Sequence, residues 1–139
     1  PGPKLREGDG QVPEGVYGVN ALNPNSLFHL SIRLNYPNAD DRARAREDGR
    51  ANLGGDIMIH GSAVSIGCLA VGDEAAEELF VIAALTGLEN VKVILSPVDL
   101  RSRSLGGNAS PVWTTNLYSK IRKELGNYPS EPGRFETRS

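Results

Sequence analysis

The clearest pattern along the chain is the alternation in Leu27–Leu34 (LFHLSIRL). Phe28, Leu30, Ile32 and Leu34 fall on one face, and His29, Ser31 and Arg33 on the other. A period of two predicts a half-buried strand with a polar face. Shorter apolar runs predict further strands at Gly15–Val19, at Asp56–Ile59, which ends on His60, and at Val91–Leu95, stopped by Pro97. A helical period appears over Asp73–Gly87. Asp73 is placed to cap it, Glu74, Glu77 and Glu78 favour its positive end, and Gly87 stands where a C-terminal cap belongs. Its expected inward stripe is Ala75, Leu79, Ile82, Ala83 and Thr86. A last helix is predicted from Ser110-Pro111 to Gly126, with Trp113, Leu117, Ile121 and Leu125 recurring every four residues as core positions.

Between these runs the chain is polar. Residues 1–14 read as loop, and Leu22–Ser26, with Pro24 between two asparagines, reads as turn chemistry. Residues 35–55 read as one long polar connection. A loop of that length inside a compact domain is usually functional or mobile. Residues 127–139 read as a polar, loosely ordered tail. The expectation is one domain over residues 1–126, mainly β with packed helices, followed by that tail.

Composition narrows the chemistry. The 139 residues hold one cysteine and two histidines, so an internal disulfide is excluded and a Cys/His zinc cage is not expected. No cofactor is implied. The formal charge is −2, and the dense run Asp40–Arg50 sets Asp40, Asp41, Glu47 and Asp48 against Arg42, Arg44, Arg46 and Arg50. These cancel, leaving no electrostatic footprint for nucleic acid. No apolar stretch approaches a membrane-span length, and no signal peptide is visible. The opening Pro1-Gly2-Pro3 suggests a processed or trimmed product, so compartment cannot be read from the lack of a signal.

The segment Ile59–Cys68 (IHGSAVSIGC) concentrates the candidate chemistry. A strand carries His60, Gly61 turns the backbone, and Cys68 follows eight residues later behind a Ser-x-Gly turn. A neutral imidazole beside a thiol can take its proton or hold a thiolate–imidazolium pair. Gly67 would let a substrate carbonyl approach the backbone N–H groups around Cys68, forming an oxyanion hole. Ser62, or a backbone carbonyl following His60, would hold the imidazole tautomer. The competing reading is a buried structural cysteine packed as a small hydrophobe.

The His60-Gly61 pair and Ser65-Ile66-Gly67-Cys68, preceded by Ile57-Met58-Ile59 and followed by an acidic helix, resemble the L,D-transpeptidase catalytic domain (YkuD-type). The short loop is similar to the YafK-type branch of that family. Gly2–Gly15, Leu27–Ala43 and Ser65–Phe80 extend the resemblance over roughly residues 1–100. It implies a β-sandwich or barrel-like domain lacking its first strands, with Cys68 as nucleophile and His60 as base. Gly67 and Cys68 would supply the oxyanion-hole backbone, with Gly61 and Ser65 supporting the turn. Near the cleft, the expected substrate contacts are His29, Tyr36, Asn38 and Ser62, and Lys4, Arg6, Glu7 and Asp9 would form a neighbouring loop.

Members of the family act on peptidoglycan stem peptides in the bacterial cell envelope, so a periplasmic or exported location is implied. The cysteine attacks the carbonyl at the L-centre of a diamino acid, and the thioester is resolved by an amine, giving a cross-link, or by water. The YafK-type branch resembles the hydrolytic kind, which cuts a diaminopimelate–lysine amide to release a wall-linked lipoprotein. Ile66 stands where many relatives carry histidine or lysine, Val12 where threonine is expected, and Leu69-Ala70 replaces an Ile-Arg or Val-Asn pair. An arginine after the cysteine would bind a substrate carboxylate, and this chain lacks one there. Arg42, Arg44 and Arg46 read mainly as solvated charges, with carboxylate recognition as the other reading. The rival class is a non-catalytic peptidoglycan-binding module.

Overall fold

A computed structural model describes residues 2–26, 29–62, 68–105 and 112–129. In chain order the elements are β1 (Gly15–Ser26), β2 (His29–Leu34), α1 (Ala39–Glu47), β3 (Met58–His60), β4 (Leu69–Ala70), α2 (Asp73–Thr86), β5 (Lys92–Leu95) and α3 (Thr114–Leu125). One mixed sheet runs β4-β3-β2-β1-β5. All neighbours are antiparallel except β3 and β4.

Two segments depart from the polar-loop expectation. β1 continues through Leu22–Ser26 because its two halves have different partners: Gly15–Gly18 pairs with β5, and Val19 onward pairs with β2. Pro24 cannot donate to a ladder, and it sits where the register shifts between Asn23 and Ser26. The turn chemistry survives locally, since Asn25 N–H donates to Asn23 Oδ1 at 2.9 Å. Within residues 35–55, the structure forms α1. A capping box starts it, with Asn38 Oδ1 accepting from Asp41 N–H and Asp41 Oδ2 accepting from Asn38 N–H. Only Ala45 of this helix is buried, so no apolar period marks it in the sequence.

The main core gathers Tyr17, Val19, Ile32, Leu34, Tyr36, Ile57, Ile59 and Leu95 against α2 residues Leu79 and Phe80. The buried positions of α2 are Ala76 and Ala83, while Ile82 and Thr86 face solvent. Of the expected inward stripe, Ala83 is buried and Ala75 and Leu79 are partly buried, while Ala76 rather than Ile82 or Thr86 completes the buried side. Gly72, rather than Asp73, is the N-cap, and Gly87 closes the helix at φ 88° with its N–H on Ala83 O. A second small core joins Leu117 and Ile121 of α3 to Leu100. The expected start at Ser110-Pro111 lies outside the described residues. Trp113 is half-buried between the Arg44 and Arg50 guanidinium groups, each 5.4 Å from its ring.

Candidate active site

β2, β3 and β4 build the site through their register. Ser31 lies opposite His60, Arg33 opposite Met58, and Ala70 beside His60 across the parallel pair. Directly paired residues point to one face, and so do residues two apart on a strand. Cys68 directly precedes β4, whose Ala70 lies beside His60.

This polar face is not uniformly solvated. Ser31 and His60 are each 2% exposed, whereas Arg33 is exposed. His60 Nδ1 contacts the Gly61 carbonyl. A carbonyl only accepts, so Nδ1 is the donor in this contact, and a ring acting as base would use Nε2. Of the two candidates for holding the imidazole, the backbone carbonyl after His60 makes this contact. Ser62, at φ 71°, instead donates its backbone N–H to Asp73 Oδ1 at 2.8 Å.

Cys68 is half-buried, and its Sγ donates to the Asp56 carbonyl at 3.5 Å. Asp56 has the left-handed φ of 53°, an unusual backbone state for a residue with a side chain. Its carboxylate meets Arg33 Nη2 at 2.7 Å. Asp56 thus links the thiol to an open pocket of ≈ 540 Å³ lined by Asn20, Arg33, Asn35, Asn38 and Arg42 among others. Neither Asp56 nor Ser31 was singled out from the sequence. Both become visible only once the strand register is known.

The remaining candidates separate into groups. Ser65 and Gly67 lie outside the described residues. Gly61 continues the β2 pairing, its N–H donating to Leu30 O at 3.2 Å. His29, exposed and at φ 69°, meets Glu77 Oε1 through Nε2 at 2.7 Å. The N-terminal half of α2 therefore contacts Ser62 through Asp73 and His29 through Glu77.

Tyr36 and Asn38 direct their polar atoms into the fold. Tyr36 is buried, with its hydroxyl donating to Leu53 O at 2.9 Å and its ring packed edge-on against Tyr17. Burial pushes its phenol above the ordinary tyrosine range, and the nearby Asp41 charge adds to that. Asn38 caps α1 and donates Nδ2 to Val16 O at 3.1 Å. Asp41 is raised by burial, opposed by the N–H of Asn38 and the hydroxyl of Tyr17. Lys4 and Asp9 pair with each other at 3.1 Å, and Asp9 gathers the N–H groups of Leu5, Arg6 and Gln11.

Among the described residues, no group of three or more His, Cys, Asp or Glu side chains is placed to hold a metal ion. Nor is any helix among them long and apolar enough to cross a membrane.

The sequence profile of the L,D-transpeptidase catalytic domain family, YkuD, matches residues 2–100. Escherichia coli YafK, provisionally named an L,D-transpeptidase, is 43% identical over 109 residues. That match covers 75% of this chain and 42% of YafK, so the chain spans less than half the length of the curated relatives it matches. Among solved structures, the helical cell shape determining protein Pgp2 of Campylobacter jejuni superposes with a TM-score of 0.51 at 27% identity. The superposition covers 67% of this chain and 34% of Pgp2. Bdellovibrio bacteriovorus Bd1075 shares the fold, with a TM-score of 0.50 and 20% identity over 90% of this chain and 43% of its own.

Proposed function

From the premise that the chain belongs to the L,D-transpeptidase catalytic domain family, we propose that it performs cysteine-dependent acyl transfer on peptidoglycan stem peptides. The observation that supports this reading is that β3, which carries His60, pairs in parallel with β4, which begins directly after Cys68, with His60 Nδ1 on the Gly61 carbonyl. Nε2 of His60 accepts the thiol proton, and Sγ attacks the carbonyl carbon at the L-centre of a diamino acid. Backbone N–H groups at Cys68 and Gly67 stabilise the oxyanion. One such donor is typically worth about 2.7–4 kcal/mol in the transition state. Collapse of the tetrahedral species breaks the amide C–N bond, the departing amine takes the proton from His60, and a Cys68 thioester remains. An amine acceptor then gives a cross-link, or water gives hydrolysis. The setting is the bacterial cell envelope.

The test offers two substrates to the protein and reads products by mass spectrometry, with Cys68→Ala as the blank. A tetrapeptide muropeptide with a free amine reports transpeptidation. A stem peptide carrying a lysine peptide on its diaminopimelate reports amidase action. Product from wild type and none from a folded Cys68→Ala protein is the expected result. Equal product from both proteins would overturn the Cys68 mechanism, and no product from either alongside a thiol that iodoacetamide does not modify below pH 8 would replace the enzyme with a wall-binding module.

A further inference from the structure

We infer that the pocket joined to Cys68 through Asp56 is a carboxylate-recognition subsite in which Arg42 binds a free carboxylate of the acyl-donor peptide. This rests on the acyl-transfer reading and supplies a recognition element for it. The pocket opens where the polar sheet face meets the N-terminal half of α1. Arg33 and Asn35 of the β2 segment, Asn20 of β1 and Arg42 of α1 contribute to its wall. Asp56 belongs to the same wall, and its carbonyl receives the Cys68 thiol at 3.5 Å. A ligand in the pocket is therefore one residue away from the sulfur.

The two arginines are not equivalent. Arg33 already holds the Asp56 carboxylate at 2.7 Å, and Arg44 and Arg50 pair with Asp41 and Asp48. Arg42 is exposed and makes no ion pair among the described residues. Its guanidinium offers a planar fork of donors that suits a carboxylate. Neighbouring Asn20 and Asn35 add neutral amides that can donate to or accept from the groups flanking it. An apolar ligand would gain little in such a wall, whereas an anion gains a charge-assisted contact.

Two carboxylates of a stem tetrapeptide could fill the subsite, the diaminopimelate side-chain carboxylate and the C-terminal one. Calorimetry on the Cys68→Ala protein distinguishes them, using the free tetrapeptide and two versions amidated at one carboxyl each. One amidation should weaken binding roughly 10- to 100-fold. Arg42→Ala in the same background should bind the free peptide that much more weakly and lose the discrimination, while Arg42→Lys restores part of it. Melting curves check that each variant is folded. Insensitivity to both amidations, an equal loss for free and amidated peptides on Arg42→Ala, or no binding of any peptide would overturn the subsite. Arg42-dependent discrimination without Cys68-dependent product from the wild-type protein would keep the subsite and overturn the acyl-transfer reading.

Discussion

Asn38 offers a sharp separation of structural from substrate-binding roles. Its side chain makes two contacts, accepting from Asp41 N–H at 3.0 Å to cap α1 and donating to Val16 O at 3.1 Å to fasten that cap to β1. Replacing an N-cap asparagine by alanine typically costs about 1 kcal/mol. Losing a partly buried hydrogen bond adds roughly 0.5–1.5 kcal/mol. Asn38→Ala should therefore destabilise the domain by about 2 kcal/mol. For a domain of this size that corresponds to a fall of about 6–8 °C in Tm. Asn38→Ser keeps a cap oxygen but cannot span to Val16, so it should recover roughly half of the loss. Asn38→Asp caps as well as asparagine but turns an anion toward a carbonyl and the Asp41 carboxylate, so it should not exceed serine. Urea unfolding followed by circular dichroism gives the free energies. Turnover measured well below Tm gives the functional part. The reasoning fails if alanine and serine variants are equally stable, or if a folded Asn38→Ser protein loses tenfold or more in kcat/KM. The second outcome would return Asn38 to the substrate.

Two further predictions concern stability away from the site. Ile121 is 0% exposed in the small core shared with Leu100 and Leu117, so Ile121→Ala should cost about 2–5 kcal/mol through lost burial and a residual cavity. A loss under about 1 kcal/mol in denaturant titration would mean that α3 is not held by this core. At Asp9, burial raises the carboxyl, but the N–H groups of Leu5, Arg6 and Gln11, with Lys4, more than offset it and hold the group at about 2, against 3.8 for the free side chain. A depressed acid stabilises the fold above its unfolded value and loses that contribution as pH falls toward the folded one. The stability of wild type should accordingly drop between about pH 4 and pH 2 more steeply than that of Asp9→Asn, and parallel acid limbs would contradict this.

How far the sequence discloses this molecule depends on whether a feature is local. The alternation of β2, the Gly87 cap and the β5 run stopped by Pro97 are local, and the structure places β2, α2 and β5 close to where these patterns put them. α1 is also local in its capping box, Asn38 with Asp41. Its burial is confined to Ala45, however, and a helix that shows arginines on most sides has no apolar period to detect. The course of β1 through Pro24 could not be read in isolation, because it depends on an exchange of partners from β5 to β2 along one strand. The phase of α2 likewise depends on the sheet. Ile82 is the larger apolar side chain, yet Ala76 and Ala83 are the buried ones.

The site follows the same division. His60 and Cys68 stand eight residues apart in one motif, and their chemistry can be proposed before any fold is known. The surroundings come from four separate segments. His29, Ser31 and Arg33 form a legible polar face, but polarity alone suggests solvent, whereas pairing with β3 buries Ser31 opposite His60. Residue spacing gives no reason to join Arg33, Asp56 and Arg42. The left-handed turn at Asp56 does so, directing its carbonyl to Cys68 and its carboxylate to Arg33 on the wall that Arg42 completes. A motif can therefore nominate a nucleophile and a base, while the walls of the neighbouring pocket depend on register and on where an inconspicuous charged helix docks. Substitutions at Asp56 should separate these contributions. The thiol contact uses its backbone and the Arg33 contact its side chain, so Asp56→Asn should alter the pocket's charge while leaving the carbonyl available to Cys68.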